Sequence, residues 1–181
     1  MAANISEFLS SFNKETARVA NFEALVTIPP ALLGIYPNGM NHLRFRCEAT
    51  ELPGRSFATA DQKTYGPIEV FPVQNYYDKI NLTFICSDDM QERKFFDQWM
   101  DYISISNGEG AGVRFDFEYK QNYETTIRIN QHDITGKLSY SLNLLNVFPV
   151  AINPMPLSWD AQNAIQKIPV TFSYRYFTFA N

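Results

Sequence analysis

Apolar and polar residues alternate along several stretches of this chain, and the alternation predicts β-strands. Apolar side chains occupy every second position at 43–49, 80–84, 113–119 and 138–144. Such alternation places one side of a strand in a core and the other side in water. Residues 22–28 and the aromatic-rich run 168–177 are predicted as further strands.

Two other stretches have the 3.6-residue period of an amphipathic helix. Ile5, Phe8, Leu9 and Phe12 predict a short helix in an N-terminal arm, residues 1–20. A longer helix is predicted from the stripe Phe96, Trp99, Met100 and Ile103, widened by Phe95 and Tyr102. Ser87, Asp88 and Asp89 are expected to cap its start, and Asn107-Gly108 to end it. Three prolines predict a loop at 149–156.

Many short strands and one long helix predict a mainly β fold. We expect a sandwich or barrel of antiparallel strands with one packed α-helix. A length of 181 residues suits a single domain, 1–181. The 15 Phe and 10 Tyr residues favour sheet and interface burial. No apolar run reaches the roughly 20 residues that span a bilayer, and no signal peptide is found, so we expect a soluble protein made in a cytoplasm.

The segment 54–78 is a long excursion between two predicted strands. It combines turn residues with large apolar side chains, which a monomer has little reason to hold in such a segment. We therefore predict that it contacts another subunit through Phe57, Tyr65, Ile68, Val70, Phe71, Tyr76 and Tyr77. Charged residues at Arg114, Asp116, Glu118 and Lys120 form a second candidate face. That face is either solvated or meets a complementary strand of another subunit.

Candidate chemistry is sparse. His42 and His132 lie beside turn residues, and Cys47 and Cys86 lie in apolar runs, so we expect turn histidines and buried thiols. The glycine-rich run 108–112 follows a helix and lacks the Lys-Ser/Thr of a phosphate loop. We expect no catalytic, cofactor or metal site, and hence no enzyme. The formal net charge of −4 disfavours a protein that grips nucleic acid.

Four segments, in order, resemble the tail tube proteins of contractile-tailed bacteriophages of the T4-like kind. They are 16–26, a helix-to-strand entry; 45–54, FRCEATELPG; 82–85 with the helix that ends in FDQW at 96–99; and 159–176, which joins Trp159-Asp160 to the aromatic C-terminal strand. Together they span nearly the whole chain.

The resemblance implies a tail tube-like fold and a structural virion protein of the phage tail. Hexameric rings would stack into a tube inside a contractile sheath, and strands of six subunits would form an inner barrel through which DNA passes without specific binding. Its partners would be itself, the sheath, the baseplate or tube initiator, the tape measure and the tail terminator. In this family a loop at the position of 54–78 is associated with ring stacking.

Three alternatives stay open. Two belong to the structural class: a tube initiator of the baseplate and the inner tube of a related injection device. The fold alone does not separate these machines. From another class, a small β-rich ligand-binding module would need an exposed aromatic platform with a basic rim, which the acidic balance disfavours for nucleic acid.

Overall fold

The computed structural model describes residues 5, 17–35, 41, 43–63, 65–107, 114–160 and 163–180. Its strands are β1 Phe22–Val26, β2 Cys47–Thr50, β3 Ser56–Gln62, β4 Glu69–Tyr76, β5 Ile80–Ile85, β6 Ser104–Asn107, β7 Arg114–Phe117, β8 Thr125–His132, β9 Leu138–Ile152, β10 Lys167–Ser173 and β11 Tyr176–Phe179. A 3-10 helix covers Pro30–Leu32, and the α-helices are α1 Leu43–Arg46, α2 Gln91–Ile103 and α3 Lys120–Tyr123.

Seven strands form one antiparallel sheet, in the order β1-β8-β9-β10-β5-β2, with β11 also paired to β9. The 15-residue strand β9 connects the two halves of the sheet. Its first part pairs with β8 and β11, and its last part, from Phe148, pairs with β10. Asn146 has a φ of 56° where the partners change. The remaining described strands form two-stranded sheets, β3 with β4 and β6 with β7. The predicted mainly β, antiparallel fold with a packed helix is confirmed.

Helix α2 packs its aromatic side against this sheet. Phe95, Phe96 and Trp99 are completely buried. The Phe96 ring lies 5.2 Å from that of Phe84 on β5, and the Trp99 ring lies 6.2 Å from that of Phe172 on β10. The Trp99 indole N–H donates a hydrogen bond to the Tyr123 carbonyl, 3.0 Å away. The predicted stripe is therefore the core of the domain, although Met100 and Ile103 are only half-buried.

The ends of α2 differ from the prediction. Its N-cap is Met90, with a left-handed φ of 54° and no capping side chain. The Glu92 carboxylate instead accepts hydrogen bonds from the Ser87 N–H, at 2.8 Å, and from the Ser87 hydroxyl, at 2.7 Å. The helix ends at Ile103, because the chain enters strand β6 at Ser104, well before Asn107.

Two more predicted elements are corrected. Residues 43–46 were predicted as the start of a strand, but they form the helical turn α1, which leaves Phe45 80 % exposed. Ion pairs of Arg44 with Glu23 and of Arg46 with Glu92 hold this turn against β1 and α2. The predicted loop 149–156 begins too early, because β9 continues through Pro149 to Ile152. The predicted N-terminal helix lies outside the described residues except for Ile5, which is exposed.

Candidate functional site

The hairpin β3–β4 is exposed along its whole length. Within the described part of the chain the two strands pair only with each other, and every residue of both is exposed. The exposed apolar side chains on the hairpin and its turn are Phe57, Tyr65, Ile68, Val70, Phe71, Val73 and Tyr76. An isolated two-stranded hairpin is marginally stable in water, so this hairpin has the properties of a surface that another molecule covers.

The hairpin's own sequence explains its shape. Pro72, which cannot donate to a ladder, lies next to an irregularity between Ala58 and Thr59, where the register shifts. Gly66, with a φ of 123°, supplies a turn conformation that other residues rarely adopt. Near the base, the Arg55 guanidinium lies 5.4 Å from the centre of the Phe57 ring.

The structure exposes Phe57, Tyr65, Ile68, Val70, Phe71 and Tyr76, which the sequence singled out as contacts. Tyr77 differs from them. It is half-buried and its ring lies 6.0 Å from that of Tyr174 and 5.7 Å from that of Phe177, so it anchors the hairpin to the body. Sequence analysis missed Val73, which is 68 % exposed. The available signal was that Val73 is an apolar residue of the excursion 54–78, between Pro72 and Gln74.

The four charged residues of the second candidate face do not all lie on one strand. Strand β7 contains Arg114 and Asp116 but ends at Phe117. Glu118 follows it and accepts a hydrogen bond from the Asn122 amide at 2.6 Å, while Lys120 is the first residue of α3 and lies over the Phe148 ring. The strand ends because this segment turns into α3. The alternate residues Phe117 and Tyr119, expected to be buried, are 76 % and 78 % exposed. A contact of these charges with another subunit stays a prediction.

The side chains with potential chemistry are two histidines and two cysteines. His132 lies 3.4 Å from the Glu23 carboxylate and contacts the Gly136 carbonyl, at the turn between β8 and β9. His42 lies outside the described residues. Cys47 and Cys86 are free thiols, and burial raises the pKa of Cys47 to about 12. Among the described residues, no group of His, Cys, Asp and Glu could hold a metal ion. No described helix is long and apolar enough to cross a membrane.

An antiparallel β domain with a packed helix and an exposed apolar hairpin has the features of a structural protein that assembles with other subunits. Residues 17–180 match the family model of the phage tail tube protein, and the chain belongs to that family. It therefore has the structural role of a tail tube protein, as the resemblance of the four sequence segments implied. No curated protein sequence matches the chain.

Solved structures agree in fold. A chain of the PVC sheath–tube complex of an extracellular contractile injection system, in the extended state, has a TM-score of 0.60 and 15 % identity, with 99 % of each chain covered. A chain of the tube-terminating cap of the anti-feeding prophage has a TM-score of 0.61 and 16 % identity, with 92 % of each chain covered. A chain of the baseplate of that particle has a TM-score of 0.62 and 10 % identity, with 92 % of this chain and 97 % of the other covered. At these identities the likeness concerns the fold.

Proposed function

We propose that this chain, acting as one domain over residues 1–181, forms hexameric rings that stack into the inner tube of a contractile phage tail. The tube would be the conduit through which the genome leaves the virion. The observation that carries this proposal is the hairpin β3–β4, whose strands are exposed along their whole length and rich in apolar side chains.

A hairpin of this kind supports unlimited stacking. When it is buried on a different surface of the next copy, that copy still has its own hairpin free. Contacts between two different surfaces propagate, whereas a contact between identical surfaces ends with a pair. Rings that close laterally and stack through residues 54–78 therefore form a tube.

The proposed partners are the sheath around the tube, the tube initiator of the baseplate, the tape measure inside and the terminator at the end. Support comes from the similar chains, which belong to a sheath–tube complex, a tube-terminating cap and a baseplate. We place the protein in the phage tail of the virion after its synthesis in the host cytoplasm.

Replacement of residues 59–71 by a short Gly-Ser linker tests the proposal. Because no residue of β3 or β4 is buried, we expect a folded protein that forms rings but no tubes under electron microscopy. Gln74→Ala, an exposed polar change on β4, is the matched control and keeps tubes. Normal tubes from the linker variant contradict the proposal, and loss of folding assigns the segment to the core instead.

A further inference from the structure

The hairpin β3–β4 is joined to the large sheet by two short connections, residues 51–55 before it and residues 77–79 after it. Within these connections only Pro53 and Tyr77 are half-buried, and the other residues are exposed. The strands of the hairpin are themselves exposed along their whole length. The direction in which the hairpin leaves the body of the domain therefore depends on very few contacts.

Polar contacts do not set this direction. Within the described part of the chain, no hydrogen bond or ion pair joins residues 53–78 to the body of the domain. The Arg55 guanidinium donates a hydrogen bond to the side-chain oxygen of Asn75 at 3.5 Å, but both residues belong to the hairpin and its base. Packing must therefore hold the hairpin in its direction.

Tyr77 is the large half-buried side chain that supplies this packing. The centre of its ring lies 6.0 Å from that of Tyr174, with the planes at 58°, and 5.7 Å from that of Phe177, with the planes at 79°. Aromatic pairs favour tilted and edge-to-face arrangements at such separations. The Tyr174 hydroxyl is buried and has no hydrogen-bond partner among the described residues. The contact is therefore one of ring packing.

The two rings that receive Tyr77 belong to a firmly held part of the body. Tyr174 follows β10 and is only 7 % exposed. The next residue, Arg175, donates its N–H to the Leu145 carbonyl of β9 at 3.0 Å. Phe177 lies in β11, which pairs with β9. Strand β4 ends one residue before Tyr77, so this side chain ties the end of the hairpin directly to β9 and its neighbours.

We propose that Tyr77 is a positioning residue for assembly, because its packing against Tyr174 and Phe177 fixes the direction of the hairpin in the free subunit. The effect on assembly rests on the proposed function. A hairpin that already points in one direction loses less conformational freedom when another copy covers it. Without the ring contact the hairpin turns about its two connections, and the apparent affinity falls with the fraction of subunits that present it correctly.

A distance measurement in the unassembled subunit tests the direction itself. Cys47→Ala and Cys86→Ala remove the natural thiols, and spin labels are attached through Lys63→Cys beside β3 and Lys94→Cys on α2, both at exposed positions. Double electron–electron resonance is expected to give one narrow distance distribution in this background. Addition of Tyr77→Ala is expected to replace it by a broad one.

Two variants are the controls for this measurement. Tyr77→Phe keeps the ring and is expected to keep the narrow distribution. Lys79→Ala, an exposed change in the same connection, is expected to keep it as well. Slow hydrogen exchange of β8 and β9 shows that a variant is folded. If Tyr77→Ala does not fold, Tyr77→Leu, which retains apolar volume without the ring, takes its place with the same expectation. A narrow distribution without the ring, or a broad one with Tyr77 present, overturns the inference.

Tube formation under electron microscopy tests the consequence for assembly. With Tyr77→Ala we expect rings at the wild-type concentration but tubes only at a concentration raised about tenfold, as when roughly one subunit in ten presents the hairpin correctly. Tyr77→Phe is expected to restore wild-type tube formation. Tubes from Tyr77→Ala at the wild-type concentration overturn the inference. A wild-type protein that forms neither rings nor tubes overturns the proposed function, while the distance measurement still decides whether Tyr77 fixes the hairpin.

Discussion

The two tryptophans of this chain have opposite environments. Trp99 is completely buried on α2 and its indole N–H is hydrogen-bonded, whereas Trp159 is 98 % exposed in the segment between β9 and β10. The helical period of Phe96, Trp99 and Ile103 made the first predictable, because periodicity reports which side of a helix is covered. The segment between β9 and β10 has no such periodicity, so the sequence contained no comparable signal for Trp159.

Trp99→Ala is expected to lower the free energy of unfolding by roughly 3–5 kcal/mol, since it removes a large buried ring and strands the Tyr123 carbonyl. Trp159→Ala is the matched control and should change it by less than about 0.5 kcal/mol in the unassembled subunit. Chemical denaturation of both variants measures the difference. Equal stabilities would place Trp99 on the surface.

Glu92 is a completely buried carboxylate at the start of α2, 3.3 Å from the Arg46 guanidinium. Burial raises its pKa, but hydrogen bonds from Ser87 and the charge of Arg46 outweigh that effect, so the pKa is lowered from its usual 4.5. A carboxyl with a lowered folded-state pKa stabilises the fold above pH 4.5, and this contribution is lost as the pH falls through the folded-state value.

Glu92→Gln is therefore expected to destabilise the protein at neutral pH by about 1–3 kcal/mol. The difference from wild type should shrink as the pH falls below the usual carboxyl value. Denaturation curves at a series of pH values measure this dependence. Asp116→Asn, an exposed carboxyl, is the control, and a pH-independent difference for Glu92→Gln would contradict the assignment.

For the secondary-structure elements, the sequence predicted which segments contain strands better than it predicted where those strands begin and end. Alternation at 80–84 gave β5, because one side of that strand faces the core. The same alternation at 43–46 failed, because ion pairs from Arg44 and Arg46 to residues distant in sequence hold a helical turn there. Pro149 suggested a loop, yet it lies within β9 opposite Phe172, beside a register shift that accommodates its missing N–H. Contacts between distant segments decided these cases, and local pattern does not report them.

The hairpin shows what sequence can say about an assembly surface. Its apolar content and turn residues predicted a contact between subunits, but not that β3 and β4 would pair, among the described strands, only with each other. Because both strands are exposed, their amides are expected to exchange with solvent rapidly in the free subunit. In assembled tubes their exchange should slow by about tenfold or more, since covered strands open less often.

Hydrogen exchange followed by mass spectrometry measures this change. Peptides from β8 and β9 are the internal control, because these strands pair inside the large sheet and should be slow in both states. Unchanged exchange of residues 56–76 on assembly would show that the hairpin stays uncovered.

For the whole molecule, the net charge is known from the sequence, and the charges of the copies in an assembly add together. Each chain has 15 basic and 19 acidic residues, a formal net charge of −4, so the proposed ring of six copies would have six times that charge. Neutralising DNA phosphates requires clustered Lys and Arg. A tube of this composition is therefore expected to let duplex DNA pass without holding it.

At about 150 mM ionic strength, assembled tubes should not retain labelled duplex DNA at subunit concentrations of about 10 μM. Proteins that bind DNA non-specifically do retain it in this concentration range. Sedimentation of tubes with labelled DNA measures this, and disassembled subunits are the control. Retention that weakens steeply with added salt would contradict the prediction, because it would reveal a basic lumen that the net charge conceals.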